Sequence, residues 1–162
     1  MDWKEYQEET AQVFRAVGCE AIVNHKTDSA RGSNNIDVYV TFEQYGVKCI
    51  WIVECKYWNS NVPKEKVFAL QKIVENNGAD RGFIISKVGF QSGTKEAAWK
   101  TNITLTSLED LRENLKKDVV LKTADSLEKR IAVILKRLYN LGADTKTGKG
   151  SVLKSYPKGV KM

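Results

Sequence analysis

The chain has 162 residues, a formal charge of +6 and 42% apolar residues, enough for one domain with a real hydrophobic core and an appendage. No apolar run approaches a membrane span, and Met1-Asp2-Trp3-Lys4-Glu5 is no signal peptide, so neither a membrane protein nor a secreted one is expected. Cys19, Cys49 and Cys55 are odd in number and lack metal-ligand spacing, and His25 is the single histidine, which argues against disulfide scaffolds, zinc centres and histidine-based catalysis and for a reducing, cytoplasmic setting.

Residues 3–17 predict an amphipathic helix. Tyr6, Thr10, Val13, Phe14 and Val17 recur at helical spacing, and Gly18 is a stop. Residues 20–24 read as a short first strand and residues 25–35 as a polar loop. Within that loop Arg31, Gly32 and Ser33 offer a guanidinium, a backbone amide and a hydroxyl to a phosphate; an ordinary surface loop fits the same residues. Residues 36–40 form the next strand, residues 43–46 a hairpin turn, and residues 50–56 a buried strand rich in large and β-branched side chains.

Beyond that strand, Tyr57 and Trp58 either close the edge of the core or stack on a sugar or base. Pro63 opens a helix that ends at residue 76 or 77, with Val67, Leu70, Gln71 and Val74 on one face and Gly78 after it; Lys66 and Gln71 lie toward the charged strand end. Residues 82–86 are an apolar strand, parallel to 50–56 because a helix joins the two. Ser86, Lys87, Gln91 and Ser92 then fall beyond its C-terminal end, where open α/β sheets bind ligands, and Lys87 and Gln91 are candidate phosphate contacts. A helix over 94–100, a strand over 103–106 and a helix capped by Ser107, with Leu108, Leu111 and Leu115 inward, complete the core.

The C-terminal part differs in charge. Residues 1–112 hold 14 basic and 15 acidic residues, a net of −1, whereas residues 113–162 hold 12 and 5, a net of +7. The basic excess is either a phosphate-binding element or a solvated surface. The division expected is a core over 1–122, an amphipathic helix over 123–142 after a linker at 123–126, and a basic tail or linker over 143–162. The second helix carries Leu127, Ile131, Ile134, Leu135, Leu138 and Leu141 on one side and is stopped by Gly142; it docks on the core or on a dimer mate. The end of the chain suggests the front portion of a longer protein.

The chemistry concentrates at the end of the 50–56 strand. Period two puts Glu54 and Lys56 on one side and Cys55 on the other. If residues 36–40 pair antiparallel with this strand, Asp37 lies beside Glu54 and Lys56. Burying such charges is costly unless they are paired or metal-bound. Two carboxylates and one ammonium at a point fit a Mg²⁺ site.

Asp37 followed by Glu54-Cys55-Lys56, set within Asn35-Ile36-Asp37-Val38, Val53-Glu54-Cys55-Lys56-Tyr57-Trp58, Gly82-Phe83-Ile84-Ile85-Ser86 and Gly89-Phe90-Gln91-Ser92-Gly93, resembles the PD-(D/E)xK nucleases, in particular their Mrr-like restriction endonuclease branch, which shares its core with archaeal Holliday-junction resolvases. The resemblance covers residues 3–108. It implies an α/β restriction-endonuclease-like fold of three layers, a mixed central sheet flanked by helices, here with a C-terminal helical extension. It also implies cleavage of DNA phosphodiester bonds with Mg²⁺ or Mn²⁺ held by Asp37, Glu54 and the backbone carbonyl of Cys55, and with Lys56 positioning the attacking water. In these nucleases the first helix usually begins with a Phe-Glu pair whose glutamate reaches the metal. The matching positions here are Tyr6-Gln7, so Gln7 takes the place of an acid, unless the register is one residue off and Glu8 does the work. Two other readings stand beside the endonuclease: a dimeric junction resolvase, and a weakly catalytic nucleic-acid-binding module of a larger protein.

Overall fold

The computed structural model describes residues 1–29 and 32–144. The elements follow in the order α1 (Trp3–Ala16), β1 (Glu20–Ser29), β2 (Gly32–Gln44), β3 (Val47–Lys56), α2 (Glu65–Asn76), β4 (Arg81–Ser86), α3 (Ser92–Ala98), β5 (Ile103–Thr106) and α4 (Leu108–Asp144). The strands form one sheet in the order β1-β2-β3-β4-β5. β1, β2 and β3 are antiparallel neighbours, and β4 and β5 continue the sheet in parallel with β3. The helix joining β3 to β4 accounts for the change, because a parallel return needs a crossover longer than a hairpin.

Local chemistry sets the ends of these elements. α1 starts in a capping box: the Asp2 side chain accepts from the Glu5 N–H, and the Glu5 carboxylate accepts from the Asp2 N–H. Its buried residues, Tyr6, Gln7, Thr10, Ala11 and Phe14, follow the helical period. The turn between β2 and β3 consists of Tyr45 and Gly46, with φ of 54° and 76° and Gln44 paired to Val47. Two successive positive φ values match the right-handed twist of the flanking strands.

The sheet is covered on both sides, which is why β3 and β4 read as nearly unbroken apolar runs. On one face Tyr6, Ala11 and Phe14 of α1 and Leu108 and Leu111 of α4 pack on Val38, Val40, Val53, Cys55, Phe83 and Ile85. On the other, Val67, Leu70 and Val74 of α2 pack on Ile52, Ile84 and Ile103. These are the three layers implied by the resemblance. Gly82 of β4 is where the second face closes most tightly. A Cβ there would come within 2.7 Å of Ile103, 2.9 Å of Val74 and 3.0 Å of Leu70. Gly82→Ala is therefore expected to destabilise the fold by about 1–3 kcal/mol through overpacking, read as a lower denaturant midpoint with an unchanged slope.

The structure corrects several expectations. Residues 25–29 and 32–35 are not loop: β1 and β2 continue past the first strand as a ladder, with His25 opposite Ile36, Lys26 opposite Asn35 and Asp28 opposite Ser33. Backbone pairing carries this ribbon, so its polar side chains give no hydrophobic alternation to read. The expected linker at 123–126 and the stop at Gly142 are also absent, because α4 runs unbroken from Leu108 to Asp144. Residues 123–126 contain neither proline nor glycine, and nothing there forbids helix. α2 begins at Glu65 rather than at Pro63, and α3 spans Ser92–Ala98 rather than 94–100. The chain divides into two compact units, Met1–Val119 and Val120–Met162. The last 18 residues of the expected basic tail, 145–162, lie outside the described residues.

Candidate active site

Glu54 and Lys56 project from the same side of β3, as period two requires, and the Lys56 ammonium forms an ion pair with Glu54 Oε1. Lys56 is buried, and its Nζ lies 5.1 Å from the centre of the Trp58 ring. Lys66 of α2 approaches the same ring at 5.7 Å. Asp37 arrives from β2. The β1–β2 ladder skips the Asn24–Asp37 step, where Asn24 has φ of 53°, and the β2–β3 ladder ends at Val38–Val53. Asparagine tolerates this left-handed conformation better than most residues. Ile36 belongs to the core on the α2 side and Val38 to that on the α1 side, so the strand turns over at Asp37.

Freed from the ladder, the Asp37 carboxylate reaches β3 directly: Oδ2 accepts a 2.7 Å hydrogen bond from the Cys55 N–H. In an extended strand a residue's N–H and C=O leave by the same edge, so the Cys55 carbonyl also points toward Asp37. From the other layer, Gln7 of α1 is fully buried beside Asp37, and its carboxamide favours the ionised form of that carboxylate. Neither Oε1 nor Nε2 of Gln7 reaches a hydrogen-bond partner of normal geometry. Glu8 is exposed and paired with Arg15 at 2.6 Å, and Glu9 with Arg112 of α4. The position beside Asp37 is thus held by Gln7.

Residues 1–115 match the family model Mrr_cat, a restriction endonuclease. The chain belongs to this family. Among solved structures, this Mrr-type domain is similar to AF1548, a protein of unknown function, with a TM-score of 0.56 and 19% identity over 67% of this chain and 65% of that one. It is also similar to Can2 from Sulfobacillus thermosulfidooxidans, solved with cyclic tetra-adenylate, with a TM-score of 0.56 and 14% identity over 69% of this chain and 34% of that one. The MspJI restriction endonuclease, solved with a 27-mer oligonucleotide, gives a TM-score of 0.47 at 14% identity, over 67% of this chain and 26% of that one. At these identities the likeness is one of fold, and the Mrr-type chain spans about two thirds of AF1548 and one third of Can2. Among curated proteins none matches the sequence.

The electrostatics of the Mrr-type site centre on one under-compensated acid, Asp37. Burial first, and then the neighbouring Glu54, push the Asp37 carboxyl from 3.8 up to about 6, against the opposing help of the Cys55 N–H, Lys56 and Gln7. Cys55 plays no comparable part as a thiol. Burial raises it to about 12, and its Sγ lies 3.7 Å from Thr10 Oγ1 on the opposite face of the strand. Among the described residues no group of three or more His, Cys, Asp or Glu gathers as for a zinc or all-carboxylate site. What converges instead is two carboxylates, a backbone carbonyl and an orphaned buried carboxamide. All are hard oxygen donors, and such a partial set suits Mg²⁺ or Mn²⁺, which keep waters and share ligands with substrate phosphates. An unpartnered buried amide is costly unless a ligand or water satisfies it, so Gln7 fits such an occupant too.

The remaining candidates make no side-chain hydrogen bond to this cluster among the described residues, although the Lys87 N–H donates to the Lys56 carbonyl at 3.1 Å. Lys87 is exposed just past β4, its Nζ donating to Asn59 Oδ1 at 3.0 Å and standing 4.3 Å from the Tyr57 ring centre. Gln91 is exposed at the start of α3, where its N–H donates to the Val62 carbonyl at 3.1 Å. Ser33 is exposed on the ribbon, four residues before Asp37 and hence about 13 Å along the strand. Arg31 lies outside the described residues. Asn24 is not singled out by the sequence; its one signal is an asparagine directly after the β-branched pair Ile22-Val23.

Proposed function

We propose that this Mrr-type nuclease domain is a metal-dependent DNA endonuclease acting in the cytoplasm, with Asp37, Glu54 and the Cys55 carbonyl as ligands for Mg²⁺ or Mn²⁺. The observation that carries it is the meeting of Asp37 with the Glu54–Lys56 pair at one strand end, where Asp37 is held by the Cys55 N–H at 2.7 Å. The ion would polarise the scissile phosphate and acidify a coordinated water. The chain's own groups do the positioning. Asp37 is anchored by a backbone N–H and so keeps a fixed direction. Glu54 shares its charge between the ion site and Lys56.

Lys56 is buried between Glu54 and the Trp58 ring and presents an ammonium on the side of the carboxylates. There it hydrogen-bonds the attacking water and offsets negative charge as the phosphorus becomes five-coordinate. Gln7 contributes a neutral oxygen in place of a third charge, which leaves one strong ion site rather than two. Lys87, Ser33, Gln91 and Arg31 are assigned to the DNA backbone on the approaches to the site.

Supercoiled plasmid tests this reading. Nicked and linear products are expected with Mg²⁺ or Mn²⁺ and none with EDTA. Cleavage that persists in EDTA, or none with either ion, would refute it.

A further inference from the structure

The residues just after β3 continue its alternation. Cys55 and Tyr57 belong to the core on the α1 side, where the Tyr57 ring centre lies 5.2 Å from that of Tyr6. Glu54, Lys56 and Trp58 take the other side: the Lys56 ammonium pairs with Glu54 and stands 5.1 Å from the centre of the Trp58 ring. Of the two aromatics, Tyr57 therefore closes the edge of the core, while Trp58, 36% exposed, belongs to the reactive side of the strand end.

A lysine side chain is a flexible stem, and an ammonium that acts on a reacting water must be held against that freedom. Among the described residues, the Lys56 ammonium is held by Glu54 and by the Trp58 ring. The two contacts differ in kind. Glu54 is shared with the proposed ion site, and whatever part of its charge serves that site is lost to Lys56. An indole face offers no oxygen to a hard cation. Its attraction for the ammonium comes from the ring quadrupole and persists when Glu54 is engaged elsewhere.

We infer that Trp58 is a positioning residue for cleavage: its indole face holds the Lys56 ammonium beside the Asp37–Glu54 site. The inference rests on the nuclease reading and deepens it. The contact is read first without DNA or turnover, by NMR of the full chain carrying isotope-labelled lysine side chains. The Lys56 ε-methylene signal, assigned by its disappearance in Lys56→Arg, is expected upfield of ordinary lysines because it lies over an aromatic ring. Trp58→Leu should return it to the ordinary position. The signal of Lys100, whose Nζ lies 4.4 Å from the Trp99 ring centre, should not move. Added Mg²⁺ should leave the Lys56 shift in place in the wild type.

Cleavage is then measured in single turnover at saturating DNA. Trp58→Leu is expected to cut about 10–10²-fold more slowly than wild type, with DNA binding in Ca²⁺ changed by less than about two-fold. Trp58→Phe, which restores a ring face, should recover most of the rate. In a Lys56→Ala background Trp58→Leu should cost nothing further, because Trp58 acts through Lys56.

An unshifted Lys56 signal, a shift lost on adding Mg²⁺, no rescue by phenylalanine or a further loss in the Lys56→Ala background would overturn the inference. So would weaker DNA binding at an unchanged rate, the mark of an indole that stacks on a base instead. A wild type that cuts nothing with either ion removes the nuclease reading and this assignment with it. A wild type that cuts, matched by Trp58→Leu, removes this assignment alone.

Discussion

Asp37→Asn is expected to abolish metal-dependent cleavage and at the same time to raise the melting temperature of the metal-free protein above pH 6. The two effects have one cause. In the metal-free fold the Asp37 carboxyl is pushed up to about 6 by burial and by Glu54. A raised carboxyl pKa contributes stability that is fully present below about pH 4 and is lost as pH rises through about 6. At pH 7–8 the wild type therefore carries a half-buried, poorly compensated anion, and asparagine removes it while still accepting the Cys55 N–H. The gain is on the order of 1–2 kcal/mol after allowance for partial solvent screening.

Below pH 4 the two proteins should melt alike. Added Mg²⁺ should reverse the order at neutral pH, because the wild type gains stability from binding the ion and the variant does not. Thermal melts across pH, with and without Mg²⁺, check this. A variant less stable than wild type in EDTA at pH 8 would show that Asp37 is not under strain from its charge. Cleavage by wild type should correspondingly rise through about pH 6, since only the ionised carboxyl holds the ion.

Lys56→Ala is expected to lower the cleavage rate by about 10²–10⁴-fold while DNA binding in Ca²⁺ changes only a few-fold. The asymmetry follows from position. Lys56 is buried and engaged with Glu54 and the Trp58 ring, so it adds little to the open surface that attracts DNA. Its ammonium acts where negative charge develops. Lys87→Ala should behave in the opposite way, because the residue is exposed and, among the described residues, its Nζ meets Asn59 and the Tyr57 face: weaker binding, a smaller salt dependence and a nearly unchanged rate at saturating DNA. A Lys56→Ala protein that cuts at the wild-type rate would remove Lys56 from the mechanism.

The legible parts of this protein were those in which a local rule acts alone. The period-two placement of Glu54 and Lys56, the Tyr45-Gly46 turn, the amphipathic face of α1 and the parallel return through α2 all follow from spacing within a single element or between neighbours. The ribbon formed by the outer ends of β1 and β2 was not legible. Its strands are held by backbone pairing with polar side chains outward, so residues such as Lys26, Asn34 and Asn35 read as loop. Residues 123–126 misled for a similar reason. Weak helix formers mark a boundary only when something stops the helix, and there the flanking helical segments carry it through.

The sequence by itself determined which groups could do chemistry: an acid, then an acid and a lysine two apart at the end of an apolar strand, with Gln7 in place of an acid on the first helix. The tertiary structure decided how those groups meet. Gln7, Asp37 and Cys55 come from three elements, and only the skipped ladder step at Asn24 turns the Asp37 carboxylate onto the Cys55 N–H. Burial and proximity to Glu54 then set its proton affinity. Those two quantities are sums over neighbours far apart in the chain, and no local pattern of residues encodes such a sum.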